Sequence, residues 1–280
     1  VAAVIQALKR RDRKEPGWKE KEQAEERMAA IFQPIFDRQA LLIHKKLVEI
    51  DKTRPKEPKG MTADMIRLLN FTREELKAYQ LKLLPAGLFE GLDLTDAEEK
   101  QIRNELFDTV YNGASLFQKL SGYILDIGLI NQRARDWASM HVGKLIKEIS
   151  DTTRKVIREA VSDFIATPGM TIGDVMQRMP FDPQRAQTIA VTETTRAYAE
   201  GNQIAGDVMK EQFPDVRTVK IFFTNNDELV CEFCGPMNGQ EVELNEQFED
   251  DDGNKYDNPP IHPNCRCFTQ VTTDILAEQP

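Results

Sequence analysis

Apolar positions spaced three and four residues apart run through the first three quarters of the chain. Met28, Ile31, Phe32, Ile35, Phe36, Leu42, Ile43, Leu47 and Ile50 keep that spacing and predict a helix from Trp18 to about Asp51. Pro34 should kink it, because its ring blocks a backbone hydrogen bond. Lys52 to Lys59, with Pro55 and Pro58, reads as an extended linker. Short helices are expected over 61–84, where Thr62 and Thr72 are candidate caps and Thr72 to Glu75 forms a capping box. Pro85 to Leu94 reads as a loop. Thr95 then caps a helix that Asn112-Gly113 is expected to end.

Residues 114–130 are apolar and glycine-dotted, which predicts burial between helices or against a neighbouring subunit. The clearest long helix runs from Asn131 to Phe164, its stripe traced by Val142, Leu145, Ile149, Ile157 and Phe164 with charges opposite. Pro168-Gly169 stops it, and Thr171 opens a short helix reaching Met179. Gln184 to Phe213 is the last major helix. Ala186, Ala190, Ala197, Gly201 and Ala205 give it a face of small side chains, which predicts close approach to a second helix. Arg185, Glu193, Arg196 and Glu200 are spaced to pair along one side of it. No nucleophile, histidine or second carboxylate is spaced to make Glu193 catalytic.

After Pro214 the period changes. Val216 to Thr224 is β-branched and aromatic and predicts a strand. Asn225 to Asp227 and Asn238-Gly239 are turn signals, the second suited to a hairpin. Glu249 to Asn254 lacks the spacing of a calcium loop and reads as a solvated acidic loop. Cys267 to Thr272 returns as a strand. The expected fold class is α+β, a mainly helical body with a small C-terminal zinc-stapled β-rich module. The expected segments are a basic N-terminal arm and linker (1–60), a helical region (61–130), a long-helix core (131–215) and the zinc-binding β module with acidic tail (216–280).

That module gathers the candidate chemistry. It holds all four cysteines and one of the three histidines of the chain: Cys231, Cys234, His262, Cys265 and Cys267. Two intervening residues let a tight turn aim both sulfurs of Cys231 and Cys234 at one point, and His262 and Cys265 repeat the gap. Two such knuckles supply four ligands to a tetrahedral zinc. Five candidates leave one spare. If 265–267 runs extended, Cys265 and Cys267 share a face and His262 is the spare. Disulfides are the competing reading; the imidazole at knuckle spacing favours metal. A deaminase-like catalytic zinc is disfavoured, because no H-x-E precedes the C-x-x-C. A structural ion also suits a module of about fifty-five residues with a thin apolar core, since small folds need a staple.

The same stretch carries a resemblance. Arg185-Ala186, Ile189-Ala190 and Thr192-Glu193 are followed by Cys231 and Cys234, then Asn238-Gly239, then Pro259-Pro260-Ile261-His262-Pro263-Asn264-Cys265-Arg266-Cys267. In order and spacing this resembles the Mu F-like family of phage head morphogenesis proteins, over residues ~150–272. One departure is Ile221-Phe222-Phe223, where the family commonly has a tryptophan; the ligand candidates are untouched. Residues 1–130 carry no part of the resemblance. It implies a non-enzymatic minor head protein acting in head assembly near the portal vertex. The portal protein is then the first partner and packaged DNA a possible second, in the virion and, during assembly, the host cytoplasm. The alternative is a zinc-stabilised nucleic-acid-binding accessory protein for packaging or ejection. A phage-encoded enzyme or toxin is a third class, for which neither a nucleotide-binding glycine loop, a triad nor paired catalytic carboxylates is visible.

Charge bears on the alternative. The net charge is −9, yet residues 1–60 carry fifteen Lys/Arg against ten Asp/Glu, while 236–280 carry two against ten. A basic arm and an acidic tail suit different partners. The acidic total argues against a high-affinity DNA binder. At 40% hydrophobic and 30% charged residues, the 280-residue chain has enough apolar material for a real core. No apolar run reaches the ~18 residues of a membrane span, and a signal-peptide pattern is not visible. The first residue is Val1 rather than Met, which leaves an upstream start or processing open.

Overall fold

The computed structural model of the chain describes residues 17–53, 84–167, 169–224 and 230–273. The basic cluster before Pro16, the linker after Thr53, the short helices over 61–83 and the Asn225 to Asp227 turn lie outside these residues. The described elements are helices α1 (Trp18–Thr53), α2 (Asp96–Ser121), α3 (Ile127–Ala166), α4 (Ile172–Met176) and α5 (Pro183–Gln212), then strands β1 (Thr218–Phe223), β2 (Glu241–Glu243), β3 (Phe248–Glu249), β4 (Lys255–Tyr256) and β5 (Phe268–Thr273). The mainly helical body and small C-terminal antiparallel sheet are as expected. Helix α1 runs through Pro34 as one element.

Two compact units divide these elements. Of the described residues, one takes those up to Ile31, those of Glu99–Gly143 and those from Gln187 on; the other takes those of Phe32–Glu98 and Lys144–Ala186. In the second unit, Thr95 and Glu98 reciprocally cap the start of α2, the Glu98 amide reaching Thr95 Oγ1 at 3.2 Å and the Thr95 amide reaching Glu98 Oε2 at 2.7 Å. Thr171 and Asp174 make the same box on α4. The 85–94 loop is fastened to α1: Lys46 donates to the Gly87 carbonyl, Gln39 to that of Leu92, and Arg38 to those of Gly91 and Asp93.

The first unit holds the close helix crossing that the small-residue face predicted. A Cβ on Gly201 of α5 would overlap the Val110 carbonyl oxygen of α2 and stand 2.9 Å from the Ala114 amide nitrogen. A Cβ on Gly113 would overlap the Tyr198 carbonyl oxygen. Asn112-Gly113 therefore does not end α2, which continues to Ser121. The glycine there removes a side chain at a helix contact rather than supplying a cap. Within 114–130, Ala114, Phe117, Leu125 and Ile130 are buried in the chain itself, while Ile124 is 83% exposed and Ile127 48%.

The sheet belongs to the first unit. Its order is β2-β1-β5, antiparallel, with Phe223 opposite Phe268 and Thr218 opposite Thr273; β3 and β4 form a separate ribbon. Every residue of β1 and β5 is buried. Their alternation serves two interiors. Phe222 faces a cluster with Met237, Phe248 and the three most buried cysteines, while Ile221 and Phe223 pack with Phe268. Lys220 shares the Phe222 side, its Nζ donating to the Asp257 carbonyl at 2.7 Å and lying over the Phe248 ring. Helix α5 reaches the sheet through Gly206, where a Cβ would meet Leu244 and Val271.

Candidate metal centre

Phe222 of β1 and Phe248 of β3 share one buried cluster with cysteines of both knuckle loops. The Cys231 carbonyl accepts the Gly235 amide, and a 3-10 turn at Gly235–Met237 returns the chain towards the sheet. Gly239, at φ +82°, then donates its amide to the Phe222 carbonyl at 2.7 Å. The Asn238 side chain accepts the Thr224 amide. So Asn238-Gly239 turns the chain, as read, but it closes the knuckle back onto β1 rather than joining a simple hairpin. In the second loop the Cys265 amide bonds the His262 carbonyl, and Asn264 takes a left-handed φ of 62°. Asparagine tolerates that conformation better than most residues.

These loops bring all five candidates together. Cys231, Cys234 and His262 form one group whose donor atoms lie within 4.8 Å of one another; Cys234, Cys265 and Cys267 form a second. Nε2 of His262 is 3.1 Å from Cys231 Sγ and 3.3 Å from Cys234 Sγ. His262 is thus placed among the sulfurs, not set aside as the spare. Cys234 and Cys265 are 3.9 Å apart, sulfur to sulfur, and no cysteine is in a disulfide. With Zn–S near 2.3 Å, a tetrahedral site has sulfur–sulfur edges of about 3.8 Å, close to the Cys234–Cys265 spacing.

Chemistry agrees with geometry. His262 Nδ1 lies 2.8 Å from the Pro263 carbonyl oxygen. A proton on Nδ1 donating there leaves the Nε2 lone pair facing the sulfurs, the tautomer a metal needs. Burial works against an ionised Cys231 thiol, but hydrogen bonds from Cys234 outweigh it and hold the thiol below its ordinary value. Hydrogen bonds from Cys234 and Cys267 pull the Cys265 thiol down, while Cys234, donating to Cys265 and Cys267, is pushed up. The cluster could hold a metal ion.

A family match covers this site. Residues 100–270 match the family described as phage Mu protein F like protein. The chain belongs to the phage Mu protein F like family. No curated protein and no solved structure matches the chain. The Mu F-like region begins in α2, takes in α3 and α5, and contains all five donors. It reaches further towards the N-terminus than the motifs that carried the resemblance.

Within the Mu F-like region the fold also makes a pair that spacing could not reveal. His141 of α3 meets Glu193 of α5, Nε2 to Oε2 at 2.5 Å, across a separation of 52 residues. Both are largely buried, Trp137 stacks on the imidazole at 4.5 Å, and Arg196 stands 3.4 Å from the same carboxylate oxygen. The expectation that no histidine partners Glu193 is corrected here, because the partner comes from another helix. Only the conjunction of Trp137 and His141 on one helical face could have hinted at it. Of the charges expected to pair along α5, Arg196 reaches Glu193. Arg185 instead hydrogen-bonds Thr153 and the carbonyls of Pro180 and Ile149. The acidic loop is more ordered than expected: Asp250 Oδ1 accepts the amides of Asp252 and Asn254, and Oδ2 the Tyr256 hydroxyl. Those bonds leave it a structural turn. Among the described residues no helix is long and apolar enough to cross a membrane.

Proposed function

We propose that this chain is a minor head protein of a tailed phage or prophage, working in head morphogenesis without catalysing a reaction. In this reading it sits near the portal vertex of the virion, with the portal protein as first partner and packaged DNA as a second. A structural zinc holds its C-terminal module. The observation that carries the reading is the family match over residues 100–270, which spans both the helical core and the five donors. The structural role of the ion is supported by burial: Cys234, Cys265 and Cys267 are at most 5% exposed, and structural sites are closed, whereas catalytic sites keep an open position. The basic segment of residues 1–60 and the acidic segment of residues 236–280 give such an assembly protein two stretches of opposite charge.

The test is assembly in vitro. The full chain is mixed with purified portal oligomers and run on a sizing column beside each alone. Co-elution at a fixed ratio is expected. Separate elution at every salt concentration, together with no incorporation into procapsids, removes the reading.

A further inference from the structure

Beside the buried donors, the first knuckle turns an apolar rim outward. Phe233 is 55% exposed and Val230 36%; Pro236 is exposed as well, and a Cβ on Gly235 would meet nothing within 4 Å. The module that carries this rim is acidic. Residues 230–273 hold two Lys/Arg against nine Asp/Glu, and Glu232, between Cys231 and Phe233, is itself exposed. Such a surface repels a phosphate backbone, so the rim suits an occupant that is apolar and basic together.

A segment of that chemistry is part of the same chain. Val1, Val4, Ile5 and Leu8 are apolar at three- and four-residue steps, and residues 9–14 carry five Lys/Arg against the one acid Asp12. We propose that residues 1–14 dock on the Val230–Phe233 rim of their own chain. The apolar positions cover Phe233, and the basic ones meet the carboxylates of the module. The place where the described chain begins supports this occupant. It starts at Gly17, and Lys21, in the first turn of α1 and 3% exposed, donates to the Arg266 carbonyl of the second knuckle. Arg266 adjoins Cys265, whose sulfur is 3.9 Å from that of Cys234, and Cys234 adjoins Phe233. A path of three residues thus joins the start of α1 to the rim, and both belong to one compact unit. Fourteen residues reach up to about 45 Å when extended, several times what that path needs. Tethering at α1 sets an effective concentration of the order of 1 mM, against which a contact with a Kd of about 0.1 mM is about nine-tenths formed.

Photocrosslinking tests the docking. Phe233 is replaced by benzoyl-phenylalanine in the full-length chain, which is irradiated and mapped by mass spectrometry. Crosslinks to residues 1–14 of the same chain are expected, at a yield independent of protein concentration. Lys9→Glu, Arg10→Glu and Arg11→Glu together should cut that yield at least about fivefold; an unchanged yield overturns the role of the carboxylates. Crosslinks to residues 1–14 of another copy, rising with concentration, overturn docking within the chain. Crosslinks to other segments, or none, overturn the docking altogether. Amide exchange on the unaltered chain needs no substitution. Between about 0.1 M and about 1 M salt the Debye length falls from about 10 Å to about 3 Å. Protection at residues 230–236 is expected to fall together with that at 1–14, and protection indifferent to salt in both segments refutes the contact.

Discussion

Burial sets the chemistry of single residues on α5. Glu200 is mostly buried, and burial, then the nearby carboxylates of Asp207 and Asp257, raise its pKa to about 6, against a smaller opposing pull from His141. An acid whose folded pKa lies above its unfolded value is at no disadvantage below pH 4.5. It loses stability as pH rises through 6, since the folded state must then hold a poorly solvated charge. Glu200→Gln should therefore match the parent at pH 4 and exceed it above pH 6, by up to about 2 kcal/mol in urea denaturation. Equal stability at both pH values would count against the raised pKa. The His141–Glu193 pair predicts the opposite sign. His141→Ala leaves a buried carboxylate with Arg196 alone and should cost about 1–3 kcal/mol, while His141→Ala with Glu193→Gln should recover part of the loss. The Arg196–Glu193 contact was legible in the spacing along α5, but His141 and Asp257 were not, because they come from α3 and the stretch after β4, and helical periodicity reports only on neighbours within one helix. The five donors, by contrast, were legible one by one: spacing within a knuckle is local, and only the pairing of the two knuckles is not.

Helices and strands were easier to read than their contacts. The starts and ends of α1, α3, α4 and α5 fall close to the expected limits because capping residues and apolar stripes are properties of short stretches. Asn112-Gly113 misled because a glycine that ends a helix and one that lets two helices touch look alike in one dimension. The distinction can be measured. Gly201→Ala should gain up to about 1 kcal/mol from helix propensity, yet its Cβ would meet the backbone of α2, which cannot swing aside as a side-chain tip can. Overpacking of that kind costs about 1–3 kcal/mol, so net destabilisation is expected. Gly143 is the control. It lies inside α3, and a Cβ there meets nothing within 4 Å. Gly143→Ala should stabilise by about 0.5–1 kcal/mol. Chemical denaturation of the two variants side by side decides whether crossing or propensity dominates.

For the molecule as a whole, the C-terminal module is small, and its cysteines contribute half of the buried cluster around Phe222. Withdrawing an ion from them should loosen more than the loops. After chelation under reducing conditions, amide exchange is expected to accelerate across 218–273, with a lower thermal midpoint; exchange unchanged from the zinc-loaded protein would contradict a structural ion. The fold class was foreseeable because the change from helical to alternating periodicity at Pro214 marks the start of the sheet. The packing of that sheet on α5 through Gly206 was not, since nothing local marks which glycine faces a strand.

One bond in the second knuckle has a use of its own. Asn264, between His262 and Cys265, donates its amide at 2.8 Å to the hydroxyl of Thr192, and Lys21 of α1 donates to the Arg266 carbonyl one residue beyond Cys265. These bonds tie the second knuckle to two helices that contribute none of the five candidate donors. The Asn264 resonance in a nitrogen-labelled sample thus becomes a remote gauge of loading. Thr192→Val would silence that gauge without removing any donor atom, separating the grip on the ion from its transmission into the helical body.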